Sequence, residues 1–191
     1  MIIFIVPKNS GLTICKEIIK NYNLSGKYLE VRGEDVPLIT SKLISQENKV
    51  IGITGEDLFK EFSIKNYNSR LKIIERIKWD DSECIFGKPT LCLLGPKTKK
   101  FSDMPKELKV CINSKYKCLA KKCCLSILEN KGYRIEKIYA SGATEEFFSN
   151  GVVDLVIDIV CSGKSAEEAG LCVYEKIFQS DIVLIGGKYE N

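Results

Sequence analysis

Apolar and polar residues follow one another along this chain in blocks that favour strand, then helix, then strand. Residues 1–6 form a β-branched run closed by Pro7, and the polar turn Lys8-Asn9-Ser10-Gly11 leads into a helix-period stretch over 12–22. Residues 28–31 predict a second strand, 36–45 a second helix, and 49–54 a buried third strand closing at Gly55-Glu56-Asp57. Residues 76–79 and 90–94 read as strands, with Gly87 and Pro89 breaking the chain between them. Further strands fall at 109–112 and 135–139, around a helix over 117–131 that Gly132 closes. Residues 152–160 read as the last strand of this block. The segment 170–178 fits a helix or a strand, and 181–185 is a short apolar strand placed with the first lobe.

Alternation of this kind predicts an α/β protein with mostly parallel sheets, which bind ligands beyond the carboxyl ends of their strands. The expected division is one lobe from residues 1–88 with 179–191 and a second from 89–178, with a ligand cleft between them.

Composition narrows the chemistry. The net charge of +4 is too small for wrapping nucleic acid and suits small anionic ligands. The basic run Lys97 to Lys100 beside Gly95-Pro96 reads as a solvated turn. The absence of histidine removes imidazole as base, nucleophile activator or metal ligand, which excludes Ser-His and Cys-His hydrolases. Nine cysteines, an odd number without regular spacing, predict reduced thiols and a cytoplasmic protein rather than a disulfide framework. Cys118 and the adjacent Cys123-Cys124 do not make a zinc motif. The apolar run at the start, about five residues long, is too short for a signal segment or a membrane span.

The most informative stretch runs from Gly151 to Ser165, where a buried strand enters the small-residue turn Ser162-Gly163-Lys164-Ser165. Successive backbone N–H groups in such a turn form an anion-binding concavity, with hydroxyls from Ser162 and Ser165 and charge from Lys164. An ordinary strand-to-helix turn with a serine cap has the same look. It is not a nucleotide P-loop, because that spacing requires a glycine at the position held by Asp158. Asp154 and Asp158 stand four apart in an apolar run, and a buried carboxylate needs partners. The plain reading puts Asp154 at the surface and pairs Asp158 with a lysine. The chemical reading has Asp158 accept from ribose hydroxyls of a sugar phosphate and favour positive charge on the ring.

The series Gly142, Glu145, Gly151, Asp154, Asp158, then Ser162-Gly163-x-Ser165 and Gly170-Leu171 resembles the signature of the ATP phosphoribosyltransferases of histidine biosynthesis in unbroken register. Upstream, Pro7-Lys8-Asn9-Ser10-Gly11-Leu12 is similar to that family's amino-terminal motif, with one extra residue. Arg32 with Asp35-Val36-Pro37, the strand end at Gly52 and Gly55, and Ser114-Lys115-Tyr116 follow in the family's order. Gly11 stands where the family has arginine, Lys117 where it has proline, and serines replace both threonines of the turn. Lys8 is then the basic group left to serve beside phosphate.

The resemblance implies a two-lobed, periplasmic-binding-protein-like fold of type II. It implies transfer of phosphoribose from phosphoribosyl pyrophosphate to adenine N1 of ATP, with Mg²⁺ and release of pyrophosphate. It further implies Asp158 and Asp154 as catalytic groups, and Ser162, Gly163, Lys164, Ser165 and Glu145 as binders of the phosphoribosyl donor. Lys8, Gly11, Arg32, Asp35, Gly55, Ser114 and Tyr116 would bind the nucleotide. The family's short form works with a separate regulatory subunit, so a homo- or hetero-oligomer is implied, without nucleic acid or membrane. Two other readings stay open: a non-catalytic nucleotide- or solute-binding module, and a phosphoribosyltransferase for another base.

Overall fold

A computed structural model describes residues 2–8, 11–22, 25–44 and 49–187. Asn9, Ser10 and Ser45, which belong to the expected turn and helix above, lie outside the described residues. The chain forms two compact units, one from Met1–Lys78 with Asp181–Asn191 and one from Trp79–Ser180.

In the first unit, strands β1 (Ile2–Pro7), β2 (Gly26–Val31), β3 (Lys49–Gly55) and β4 (Lys72–Ile77) join β10 (Ile182–Gly186) in one sheet, ordered β2-β1-β3-β10-β4. β1 pairs in parallel with β2 and β3, whereas β10 runs antiparallel to β3 and β4. The apolar runs of β1, β3 and β10 lie at the centre, where Phe4, Ile5, Val6, Val50, Ile53, Val183 and Ile185 are sealed from water. Helices α1 (Gly11–Asn21), α2 (Val36–Ile44) and α3 (Glu56–Lys65) belong to this unit. Gly52 allows α2 to lie close on the sheet, since a Cβ there would meet the Thr40 hydroxyl at 2.4 Å. α3, which the turn at 55–57 did not announce, has Glu56 and Asp57 in its first turn and Lys65 in its last, the favourable order for the helix dipole.

The second unit has the sheet order β7-β6-β8-β5-β9, from β5 (Thr90–Pro96), β6 (Glu107–Asn113), β7 (Arg134–Ala140), β8 (Leu155–Val160) and β9 (Leu171–Gln179). β6 runs parallel to β7 and β8, while β5 is antiparallel to β8 and β9. Both sheets are therefore mixed, which corrects the expectation of mostly parallel pairing: one strand of each sheet, β10 in the first and β5 in the second, runs opposite to the other four. The segment 170–178 is settled as strand. Its two bulges against β5 absorb the irregular pattern that left it ambiguous.

Two boundaries move for physical reasons. The strand expected over 76–79 lies at Lys72–Ile77, where exposed and half-buried residues alternate against β10. The strand expected from 152 starts at Leu155, because the chain up to there is still closing helix α6 (Thr144–Ser149): Gly151 is left-handed and the Val152 amide donates to the Phe147 carbonyl. The helix expected over 117–131 is present as α4 (Lys117–Ala120), a π-helical turn (Lys121–Leu125) and α5 (Ser126–Asn130). Gly132 closes it at φ 83°. A short α7 (Lys164–Glu168) leads into β9. No helix among the described residues is long and apolar enough to cross a membrane.

Candidate functional site

Parallel strands end at the same edge of a sheet, and in each unit that edge collects residues named from the sequence. In the first unit Lys8 follows β1, Arg32 follows β2 and Gly55 ends β3. The Lys8 amide donates to the Val31 carbonyl at 2.8 Å, tying the first two ends together, and Lys8 and Arg32 are exposed. Asp35 closes the short turn begun by Arg32, its amide donating to the Arg32 carbonyl at 2.9 Å. Gly11 is the first residue of α1. Thr54, beside Gly55, is buried, and its hydroxyl has no hydrogen-bond partner among the described residues.

In the second unit β6, β7 and β8 end at Asn113, Ala140 and Val160. Asp158, near the end of β8, is the centre of a hydrogen-bonded group. The Asn113 side-chain amide donates to its Oδ1 at 2.9 Å, and its neighbour's amide, Ile159 N–H, donates to the same oxygen at 2.7 Å. The Thr144 hydroxyl donates to Oδ2 at 2.6 Å. Glu145 stands next to it: Ser165 donates to its Oε1 at 3.1 Å, and the Thr144 hydroxyl lies 3.3 Å from its Oε2. Burial pushes the Asp158 carboxyl above the usual carboxylate range, and Glu145 adds to the rise, while the donors from Thr144, Ile159 and Asn113 oppose it. The donors that hold Asp158 here are neutral, in place of the lysine that the plain reading supposed.

The turn itself has Gly163 at φ 73°, a conformation that a side chain resists, and the Lys164 amide reaches the Ser162 hydroxyl at 3.4 Å. Lys164, Ser162 and Ser165 are exposed. Ala143, just ahead of Thr144, is the one non-glycine residue with positive φ (49°) among the described residues, so backbone strain sits beside the Asp158 group. Ser114 follows β6, but Tyr116 is turned into the protein and only 6% exposed. Asp154 is not brought to this group. It sits at the opposite end of β8, about 13 Å along the strand by strand rise, where its Oδ2 accepts from the Lys109 amide at 2.7 Å. Asn113 and Thr144 were not named from the sequence, and only their positions at a strand end and beside Glu145 pointed to them.

The expectation of uniformly reduced thiols is corrected: Cys84 and Cys161 form a disulfide across 77 residues of sequence. The Ile85 amide donates to the Cys161 carbonyl at 2.9 Å, and this contact brings Cys84 to the start of the turn, a neighbourhood that spacing cannot reveal. The other seven cysteines are in no disulfide. Burial pushes the thiols of Cys15, Cys92 and Cys124 up to about 12.

A magnesium ion requires hard oxygen donors. Among the described residues the group of three metal-ligating side chains in mutual reach is Asp81, Cys84 and Cys161, whose sulfurs are bonded to each other and do not suit it. The Glu145 carboxylate, with lone pairs left beyond its two hydroxyl neighbours, does suit an ion that arrives bound to a ligand's phosphates.

Two mixed α/β units, one of them holding a half-buried carboxylate four residues ahead of an exposed Ser-Gly-Lys-Ser turn, define a periplasmic-binding-protein-like fold. Solved structures of the same fold include an ATP phosphoribosyl transferase (HisG:HisZ) complex from Thermotoga maritima, with TM-score 0.71 and 21% identity over 98% of this chain and 88% of that one. They also include the periplasmic aliphatic sulphonate binding protein SsuA from Escherichia coli, with TM-score 0.64 and 16% identity over 98% of this chain and 61% of that one. The family described as HisG, ATP phosphoribosyltransferase, matches residues 32–191. The chain belongs to the ATP phosphoribosyltransferase family. An ATP phosphoribosyltransferase of Sulfolobus acidocaldarius is 30% identical over 83% of this chain and 49% of its own length. One from Caldicellulosiruptor bescii is 29% identical over 91% of this chain and 73% of its own. The chain thus spans about half the length of the archaeal relatives it matches.

Proposed function

We propose that this chain transfers phosphoribose from phosphoribosyl pyrophosphate to adenine N1 of ATP, releasing pyrophosphate, as the first step of histidine biosynthesis. The observation that carries the reading is Asp158, held by Asn113 and Thr144 on one sheet edge with Glu145 and the 162–165 turn, in the register of the family signature.

Each group has a chemical task in this reading. The turn's backbone N–H groups, with Ser162 and Ser165 hydroxyls and the Lys164 charge, take the donor's 5-phosphate. Gly163 lets the backbone approach without a side chain in the way. A carboxylate has roughly four acceptor sites. Three donors already point at Asp158, two on Oδ1 and one on Oδ2, so Oδ2 is the oxygen with room for a ribose hydroxyl. A negative charge fixed there favours the cationic, oxocarbenium-like sugar over the neutral one. Glu145 is placed to take a second hydroxyl or to face a magnesium ion carried on the donor's pyrophosphate. That ion, when bound, neutralises the leaving group. Lys8, Arg32, Asp35 and the Gly55 strand end lie at the edge of the first unit proposed for the nucleotide, with Gly11 opening α1, and Ser114 and Tyr116, which follow β6 in the second unit, keep the nucleotide role that the resemblance implies. No covalent enzyme intermediate is needed, which accords with a chain that has no histidine.

The partner follows from the same reading. The Thermotoga structure is a HisG:HisZ complex, and a separate regulatory subunit of that kind is proposed for this chain too, in a cytoplasmic oligomer. Asp154 is kept only as the cap that starts β8.

The test is direct: incubate the protein with ATP, phosphoribosyl pyrophosphate and Mg²⁺, with pyrophosphatase to draw the reaction forward, and follow the ultraviolet absorbance of phosphoribosyl-ATP. Product formation, alone or with a HisZ-type subunit, is expected. Nucleotide binding without product in either case would overturn the transferase reading in favour of a binding module on the scaffold shared with SsuA.

A further inference from the structure

The bond between Cys84 and Cys161 stands one residue ahead of Ser162, outside everything the proposed chemistry uses. It ties the turn to a segment with its own hydrogen bonds. Asp81 and Gly87 are joined at 2.9 Å, Gly87 and Cys84 at 2.8 Å, and Cys84 and Asp81 at 3.1 Å, all through backbone groups. Phe86 packs on the core cluster beneath, so the segment has an anchor of its own. Its hold on the turn includes the disulfide, the Ile85-to-Cys161 hydrogen bond and the Ile85 side chain lying against Gly163. The disulfide is the covalent one of these links, and its loss leaves the segment and the turn joined by noncovalent contacts alone.

The two sulfurs differ in access. Cys84 is 5% exposed, whereas Cys161 is half-buried, so an incoming thiolate meets Cys161 first. Disulfides of cytoplasmic proteins are mostly transient and redox-responsive, whereas structural ones belong to oxidising compartments.

We propose that the Cys84–Cys161 bridge is a reversible thiol–disulfide exchange site that sets the order of the 162–165 turn, and through it the affinity for a phosphorylated sugar. The second half of this proposal rests on the transferase reading. Opening needs a dithiol reductant. One of its thiolates bonds to Cys161 Sγ, the Cys84–Cys161 bond breaks, and Cys84 leaves as a thiolate that takes a proton. The reductant's second thiolate then bonds to its own first sulfur and releases Cys161, which is protonated in turn. Two electrons pass to the protein and the reductant becomes a cyclic disulfide. Closure is the reverse, with a low-molecular-weight disulfide as electron acceptor. The bridged state holds the turn pre-ordered and binds the sugar phosphate more tightly, because less ordering remains to be done on binding.

The test compares the protein oxidised with glutathione disulfide and reduced with dithiothreitol, both with Mg²⁺ present. Alkylation in denaturant should count seven free thiols in the oxidised form, as in the structure, and nine after reduction. Hydrogen exchange of the amides over 161–166 should quicken at least about fivefold on reduction, and calorimetry should show phosphoribosyl pyrophosphate bound at least about threefold more weakly. Cys84→Ser should give the reduced values under both conditions, and the reduced wild type serves if that variant does not fold. Nine thiols after oxidation, or equal exchange and equal affinity in the two forms, would overturn the proposal. Redox-dependent exchange with no donor binding in either form would support the strap and sink the transferase reading instead.

Discussion

Thr144→Val is the sharpest probe of the Asp158 group, because it exchanges a hydroxyl for a methyl at a fully buried position without changing shape. In the wild type that hydroxyl donates to Asp158 Oδ2 at 2.6 Å and is the one donor that oxygen has from within the group. Asn113 and Ile159 both serve Oδ1, so neither replaces it. A hydrogen bond to a charged group is worth about 1.5–3 kcal/mol, and that is the expected loss of stability near neutral pH. For a chain of this size it corresponds to a fall in Tm of roughly 4–10 °C. The pH dependence follows from the direction of the Asp158 shift. Its folded carboxyl is already raised by burial, and removing a donor that opposes the rise lifts it further. A raised carboxyl favours the fold in its protonated form, a contribution present below the unfolded pKa and lost as pH climbs through the folded one. The variant loses more over that climb, so its deficit should be full near about pH 8 and shrink as the buffer is taken into the acid range. Urea denaturation of both proteins across that range is the assay. A deficit below about 0.5 kcal/mol, or one that does not change with pH, would show that Thr144 does not support a charged Asp158.

Three further outcomes are expected. Asp158→Asn keeps the shape and removes a desolvated charge, so it should raise stability at neutral pH while lowering kcat about a hundredfold, with donor affinity little changed; kcat within about threefold of wild type would make Asp158 a structural carboxylate. Gly163→Val places a β-branched residue at φ 73° and should weaken donor binding at least about tenfold in calorimetry, the folded state being checked by circular dichroism; unchanged affinity would remove the turn from the site. Native alkylation near about pH 8 should label Cys118, Cys123 and Cys172 well before Cys15, Cys92 and Cys124, whose thiols burial holds protonated; mass spectrometry of the labelled peptides decides it.

What could be read from the sequence was whatever depends on neighbours along the chain. The β-branched runs of β1, β3 and β8, the left-handed Gly132 that closes a helix and the Ser-Gly-Lys-Ser turn all carry their cause within a few residues. β9 was ambiguous because its bulges against β5 break the alternation by which a strand is recognised. The sense of β10 and β5 was not legible either, since an apolar run has the same composition whether it enters a sheet parallel or antiparallel. The site divides the same way. Asp158 and the turn lie on one continuous stretch and could be singled out from it, whereas Asn113 reaches Asp158 from 45 residues away and the Cys84–Cys161 pair spans 77. Asp154 was grouped with Asp158 because the two share one apolar stretch, whereas β8 sets them at its opposite ends.

The partners of Asp158 explain why a carboxylate occupies a place where burial works against its charge. A lysine or arginine there would hold the carboxylate ionised at lower cost, but it would also cancel the negative field that a cationic sugar ring needs. Neutral donors from Asn113, Thr144 and the Ile159 amide orient both oxygens and leave the charge intact. Glu145, drawn close by its hydroxyl neighbours, adds a second negative charge and raises the Asp158 carboxyl still further, which a purely structural group has no reason to tolerate. With the strained Ala143 at the same corner, the local costs fall together at the carboxyl edge of β6, β7 and β8, while the opposite end of β8 carries only an ordinary cap at Asp154. That asymmetry within one strand is what supports the catalytic role proposed for Asp158 over one for Asp154.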